Sequence, residues 1–251
     1  MAPAAIFVIF AVFYVRAQYV PAVLMYHSID ERSKQNKLSV SPQSFDNQMR
    51  FFKKNRYNVV SLQKLVNMTK SGKPIPRNTV AITFDDGHEN NFINAYPVLK
   101  RYRLPAIIFV STEVVGTPGY LTWGQLKEMS DGGLVSIGSH GRTHTSLKSI
   151  DDSKELEDQI INSKNILESR LDKKVDFIAY PGGGFNTNII ELTKRGGYLG
   201  ACATNPGPKY PDNDIYAIKR NKISRTSDNL FVFWIETSGY YTFIKEIRDE
   251  D

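Results

Sequence analysis

Thr79-Val-Ala-Ile-Thr-Phe-Asp-Asp-Gly87 decides how the rest of the chain is read. Its first six residues are the most hydrophobic strand-like run in the sequence, and two carboxylates and a glycine follow without a spacer. Successive side chains on a strand point to opposite faces, so Asp85 and Asp86 share a site only if the strand has ended. Gly87 supplies the backbone freedom for that break. Two adjacent carboxylates at the end of a buried strand repel unless a cation or a proton lies between them. The other reading of the triplet is a solvated turn whose aspartate caps the next helix.

Strand-like and helix-like runs alternate outward from this stretch. Upstream, Val20 to Tyr26 reads as a strand. Ser41-Pro42 gives an N-cap with proline at N1, and Phe45, Met49 and Phe52 mark one helix face. Ser61 caps a second helix that ends near Gly72. Downstream, a helix is predicted over 91–102, a strand over 106–110, a helix capped by Thr122 and a strand over 134–138. Asp152 or Ser153 starts the longest helix, with Leu156, Ile160 and Leu167 inward. Further strands are predicted over 175–179, 198–203 and 216–223, and Asn186 caps the helix between the first two. About seven βα units argue for a parallel sheet closed into a barrel, whose function collects at the C-terminal ends of the strands.

The 251 residues suit one catalytic domain from residue 19 to 251, and 41% hydrophobic with 23% charged residues predicts a packed core. A net charge of +6 favours anionic surroundings such as an envelope polymer or lipid headgroups. The basic residues are scattered and form no arm or nucleic-acid fingerprint, so no nucleic-acid partner is expected. The single cysteine, Cys202, lies in an apolar run and reads as a buried, inert thiol. Residues 1–18 contain Ile6-Phe-Val-Ile-Phe-Ala-Val-Phe13 followed by Arg16. About 14 apolar residues suit a signal-peptide core better than a full span, which needs roughly 20. A signal peptide or membrane anchor is expected there, with a secreted or envelope location; a buried first element is the other reading.

Ser139-His-Gly-Arg-Thr-His144 follows a predicted strand, and its spacing lets two imidazoles reach one ion. Two histidines and one carboxylate leave coordination positions open, as a catalytic metal requires. Tyr180-Pro-Gly-Gly-Gly184 follows another strand, where glycines let backbone N–H groups approach a ligand, or simply make a turn. His27 closes the strand ending at Tyr26. An imidazole there serves either as a general acid or as a structural group. His88 either lines the cleft or is exposed.

Together these residues resemble the polysaccharide deacetylases of carbohydrate esterase family 4, over about residues 22–235. The resemblance is carried by Thr83-Phe-Asp-Asp-Gly87, Ser139-His-Gly-Arg-Thr-His144 and Ala179-Tyr-Pro-Gly-Gly183. Connecting patterns at Ala95-Tyr-Pro-Val-Leu99, Leu104-Pro-Ala-Ile-Ile-Phe-Val110 and Leu121-Thr-Trp-Gly-Gln-Leu126 support it. It implies a distorted (β/α)7-type barrel that hydrolyses N-acetyl groups from an amino-sugar polysaccharide. It implies a divalent metal on Asp86, His140 and His144, zinc foremost, with cobalt or nickel as options. Asp85 would be the general base, the Tyr180 N–H an oxyanion donor, and Gly182 and Gly183 part of the substrate cleft. Many members carry their acid histidine in a C-terminal Leu-x-x-His, which this chain lacks. Leu24-Met-Tyr-His27 looks like the permuted version found in a subgroup acting on poly-N-acetylglucosamine, which makes His27 the expected acid. The arginine bracing the base corresponds to Arg220, or alternatively to Arg225.

The chain departs from the family pattern at Gly141, where a hydroxyl residue normally supports the metal loop, so weakened metal binding is expected. Glycine at 182 replaces an aromatic or arginine and would widen the cleft. The usual Asp-Trp pair of a fourth motif is absent, with Asp212 and Asp214 near its place. Two rival readings are a non-catalytic carbohydrate-binding protein on this fold and a deacylase of a lipid-linked sugar.

Overall fold

The structure, a computed structural model, describes residues 18–31, 37–205, 207 and 209–249. Its strands are β1 (Ala22–Tyr26), β2 (Ser28–Ile29), β3 (Ser39–Val40), β4 (Asn58–Val59), β5 (Thr79–Phe84), β6 (Ala106–Val110), β7 (Val135–Ser139), β8 (Phe177–Ala179), β9 (Gly200–Cys202) and β10 (Asn221–Lys222). The helices are α1 (Pro42–Lys54), α2 (Leu62–Lys70), α3 (Tyr96–Tyr102), α4 (Trp123–Asp131), α5 (Ser153–Glu157), α6 (Ser163–Leu171), α7 (Thr187–Arg195), α8 (Leu230–Glu236) and α9 (Tyr241–Asp249). Local chemistry sets several of the helix starts. Ser41, Ser61, Asp152 and Asn186 each accept an N–H from the first turn, and Thr122 and Gln125 form a reciprocal capping box.

The main sheet runs β10-β1-β5-β6-β7-β8-β9, parallel throughout. β4 pairs with the start of β5, at Asn58–Thr79 and Val59–Val80. One segment then closes the sheet on itself. Ile218 donates to the Ala201 carbonyl (3.0 Å) and its own carbonyl accepts from Ala203 (3.0 Å), which ties the segment to β9. Five residues later Ile223 donates to Met25 (2.9 Å), and Leu24 pairs with Asn221. The result is a distorted seven-stranded (β/α) barrel, irregular where this closing segment changes partners. The strand predicted over 216–223 is accordingly reduced to an isolated bridge at Ile218 and the two residues of β10.

Alternate strand residues face alternate layers. Val23, Ala81, Ile107, Phe109, Phe177, Ala179 and Cys202 form a small interior cluster, joined by Leu62, Leu65 and Val66 at α2. Leu24, Ile82, Ile108 and Ile178 belong to the larger layer beneath the helices. Cys202 is fully buried, and burial pushes its thiol up to about 12, so it stays protonated and inert.

Two predicted helices contain wider π-turns, at Asn91–Ala95 before α3 and at Asp158–Asn162 between α5 and α6. The expected signal or anchor lies outside the described residues. Among the described residues no helix is long and apolar enough to cross a membrane.

Candidate active site

The strand phase that keeps Ala81 in the barrel interior also directs Thr83 and Asp85 inward. Asp85 is 3% exposed and meets Arg220, itself 2% exposed. The guanidinium donates in fork geometry, Nη1 to Oδ1 at 2.6 Å and Nη2 to Oδ2 at 2.7 Å. Arg220 is held in turn, because its Nε donates to the Ala203 carbonyl (2.8 Å) and its Nη1 to Thr83 Oγ1 (3.1 Å). Burial alone would raise the Asp85 carboxyl; Arg220 and then His140 more than offset it and hold the group ionised, below its ordinary value. Arg220, rather than Arg225, occupies this position. Arg225 lies in the short 3-10 turn Arg225–Asp228 before α8.

Asp86 leaves the strand with φ 71°, an unusual backbone for aspartate, and so turns to the same mouth as Asp85. Its Oδ1 lies 3.0 Å from His144 Nε2 and 3.5 Å from His140 Nε2. One donor atom from each of these residues falls within 4.8 Å of the others, close enough to surround a single ion. The His140 tautomer is fixed by its partner. A carbonyl can only accept, so the 2.8 Å contact between Nδ1 and the Ala179 oxygen places the proton on Nδ1 and leaves the Nε2 lone pair facing Asp86. Burial lowers the His140 pKa, which favours the neutral ligand form, whereas the bond to Asp86 raises that of His144. An N, N, O donor set with one side open fits a catalytic divalent ion.

His88 occupies a position the sequence left undecided. It is part-buried, its Nε2 sits 3.3 Å from Asp86 Oδ2, and its ring stacks on Tyr120 at 5.5 Å. It therefore braces the carboxylate oxygen that faces away from His140 and His144.

His27 follows β1 directly, and the Tyr26 carbonyl accepts from the Asp85 amide (2.9 Å), which fixes the two strand ends together. Its Nδ1 is buried without a hydrogen-bond partner. Burial lowers its pKa, while Asp85 and Asp86 act in the opposite sense. The expectation for Tyr180 is corrected. Its N–H donates to the Cys202 carbonyl (2.9 Å) as part of the β8–β9 ladder and is not available to a substrate oxygen. The turn beyond it carries Gly182 at φ 64° and Gly183 at φ 75°. A Cβ on Gly183 would lie 2.5 Å from Thr204 Oγ1, so only glycine fits there, whereas the space around Gly182 is open. Asp212 instead pairs with Lys219 (2.7 Å), and Asp214 accepts from the Tyr216 amide (2.8 Å).

Comparisons with known proteins place the chain beside polysaccharide deacetylases. The family described as polysaccharide deacetylase matches residues 72–201. YxkH of Bacillus subtilis, whose name carries a provisional polysaccharide deacetylase assignment, is 32% identical, with 86% of this chain and 76% of that protein aligned. The poly-beta-1,6-N-acetyl-D-glucosamine N-deacetylase of Staphylococcus epidermidis is 31% identical over 74% of this chain and 68% of its own length. Among solved structures, the Streptococcus pyogenes deacetylase PplD in complex with acetate superposes with a TM-score of 0.75 at 26% identity, covering 84% of this chain and 97% of PplD.

Proposed function

This chain belongs to the polysaccharide deacetylase family, and from that premise we propose how its own residues divide the work of amide hydrolysis. It is a metal-dependent hydrolase that removes N-acetyl groups from an amino-sugar polysaccharide and releases acetate. The observation that carries the mechanism is the pairing of two unlike carboxylates at one strand end. Asp85 is clamped by Arg220 and kept ionised, while Asp86 faces His140 and His144.

Asp86, His140 and His144 hold the divalent ion, with zinc as the first choice and cobalt or nickel as alternatives. Bound there, such an ion lowers the pKa of water toward neutrality and polarises the acetamide carbonyl. Asp85 takes the proton of the attacking water, and Arg220 keeps its carboxylate aimed and charged. Oxyanion stabilisation passes from Tyr180 to the turn that follows it. Pro181 has no N–H and Gly183 donates to the Tyr180 carbonyl (2.8 Å), which leaves the Gly182 amide. His27 gives its proton to the departing amine; burial lowers its pKa, and the neighbouring Asp85 and Asp86 act against that loss and favour the protonated ring the step requires.

The preferred substrate is a poly-N-acetylglucosamine, supported by the Leu24-Met-Tyr-His27 strand end and by the staphylococcal relative. We place the enzyme at the cell envelope or outside the cell, with residues 1–18 as signal peptide or membrane anchor and 19–251 as the catalytic domain. The intact Asp85–Arg220 clamp argues against a purely carbohydrate-binding role.

The test is acetate release from N-acetylglucosamine oligomers by metal-stripped protein resupplied with zinc, cobalt or nickel. Metal-restored release is expected, and Asp85→Asn is expected to abolish it while still binding the ion. Asp86→Ala is expected to lose the ion itself. Equal metal loss in both variants would overturn the division between the two carboxylates.

A further inference from the structure

Three residues separate His140 from His144, and each of their amides ends on a buried side chain. Gly141 donates to Ser139 Oγ (3.1 Å). Arg142 and Thr143 both donate to a single atom, Gln159 Oε1, at 2.8 and 3.1 Å. Gln159 Nε2 returns a bond to Thr143 Oγ1 (3.0 Å). From the opposite side, Thr112 and Glu113 donate to the Gly141 and Arg142 carbonyls at 3.2 and 3.0 Å. The loop is therefore strapped on two sides, and one strap is a single amide side chain.

Gln159 is 3% exposed and lies in the π-turn between α5 and α6. Such turns carry one residue more than an α-turn and re-aim the side chains they contain. Its approach to the loop depends on Gly141, which has φ 77° and no side chain. A Cβ there would sit 3.2 Å from Gln159 Oε1 and 3.5 Å from Pro181 Cγ. Absence of a side chain at 141 and presence of the amide at 159 are thus two halves of one arrangement.

We propose that Gln159 is the positioning residue of the metal loop, its amide oxygen fixing the separation of His140 from His144 where the family pattern has a hydroxyl residue at position 141. This rests on Asp86, His140 and His144 being the metal site. It reverses the expectation that glycine at 141 weakens metal binding. Loss of the oxygen removes the shared acceptor of two part-buried loop amides, and the loop relieves them by shifting toward solvent, which carries His144 away from Asp86.

Metal-stripped protein is titrated with cobalt(II), followed by its visible absorption, and with zinc against a chromophoric chelator. Gln159→Leu is expected to weaken both ions by roughly 10–100-fold, the range for lost outer-shell support, and to change the cobalt spectrum. Gln159→Glu keeps the acceptor and is expected to stay near wild type. Gly141→Ala presses a methyl against the same oxygen and is expected to weaken binding as Gln159→Leu does. If thermal unfolding shows Gln159→Leu unfolded, the Gly141→Ala and Gln159→Glu pair decides. Wild-type affinity and spectrum in Gln159→Leu or in Gly141→Ala would overturn the proposal, as would a loss in Gln159→Glu equal to that in Gln159→Leu. If the wild-type protein binds no ion, or Asp86→Ala binds as tightly, the metal-site reading itself has failed and takes the proposal with it.

Discussion

Asp85 and Arg220 form a buried ion pair whose value lies in keeping one charge ionised at one spot. Removing only the arginine leaves a carboxylate 3% exposed with no counter-charge, and breaking such pairs costs about 3–5 kcal/mol. Arg220→Met is therefore expected to lower the midpoint of urea unfolding and to abolish turnover. Arg220→Lys, which keeps the charge but not the fork, should restore part of the stability and little of the activity. The acid side follows from the same pair. Because the folded Asp85 pKa lies below its unfolded value of 3.8, its contribution is present above that pH and is lost as pH falls through the folded pKa. Urea titrations below pH 4 are expected to show a weaker pH dependence in Asp85→Asn than in wild type. The aspartates and the two loop histidines were legible in the sequence because each pair is contiguous or nearly so. The clamp was less legible. Arg220 lies 135 residues from Asp85 and no local pattern marks it, and Gln159 likewise left no signal, since an amide in a helical run looks like any exposed polar residue.

At the level of single elements, predicted and observed boundaries agree where local chemistry decides. The serine, threonine and asparagine caps are read directly, and β5 and β6 fall at Thr79–Phe84 and Ala106–Val110 as expected. Composition is a poor guide where tertiary packing decides, as in a segment to which the sequence pattern assigned no element. Leu230-Phe-Val-Phe-Trp-Ile-Glu236 is rich in residues that favour strands, yet it forms α8, capped by Asn229 and seated through Phe233 and Glu236. Phe233 packs on Phe51 and Phe52 of α1, at 5.9 and 5.1 Å between rings. Glu236 is buried at 5% exposure with Oε2 unpartnered, and burial pushes its carboxyl up to about 7, with Ser227 offsetting only part. A carboxyl raised from 4.5 stabilises the fold most below that pH, and the benefit is lost as pH rises toward about 7. Glu236→Gln keeps the shape and removes the charge. It is expected to be more stable than wild type at pH 8 by about 2 kcal/mol and to flatten the pH dependence of the thermal midpoint between pH 5 and 7.

On the scale of the whole molecule, the barrel was foreseeable from βα alternation, but its manner of closure was not. Seven units suggested a ring; they did not reveal that the last staves are one short segment shared between β9 and β1. A chain ending at Tyr216 would retain β1 and β5 to β9 but lack the closing segment and Arg220. It is expected to show no cooperative thermal transition and no acetate release, and a sharp transition in that truncated chain would contradict the weight placed on closure. The same feature governs the order of events during folding. Leu24 of β1 and its partner Asn221 lie 197 positions apart in sequence. Contacts that distant in sequence are slow to form, so the seam between β1 and β10 is the part of the ring expected to close last. The clamp on Asp85 can therefore form only once that seam has closed, so Asp85 gains its fixed position as one of the last acts of folding rather than as a property of β5 alone.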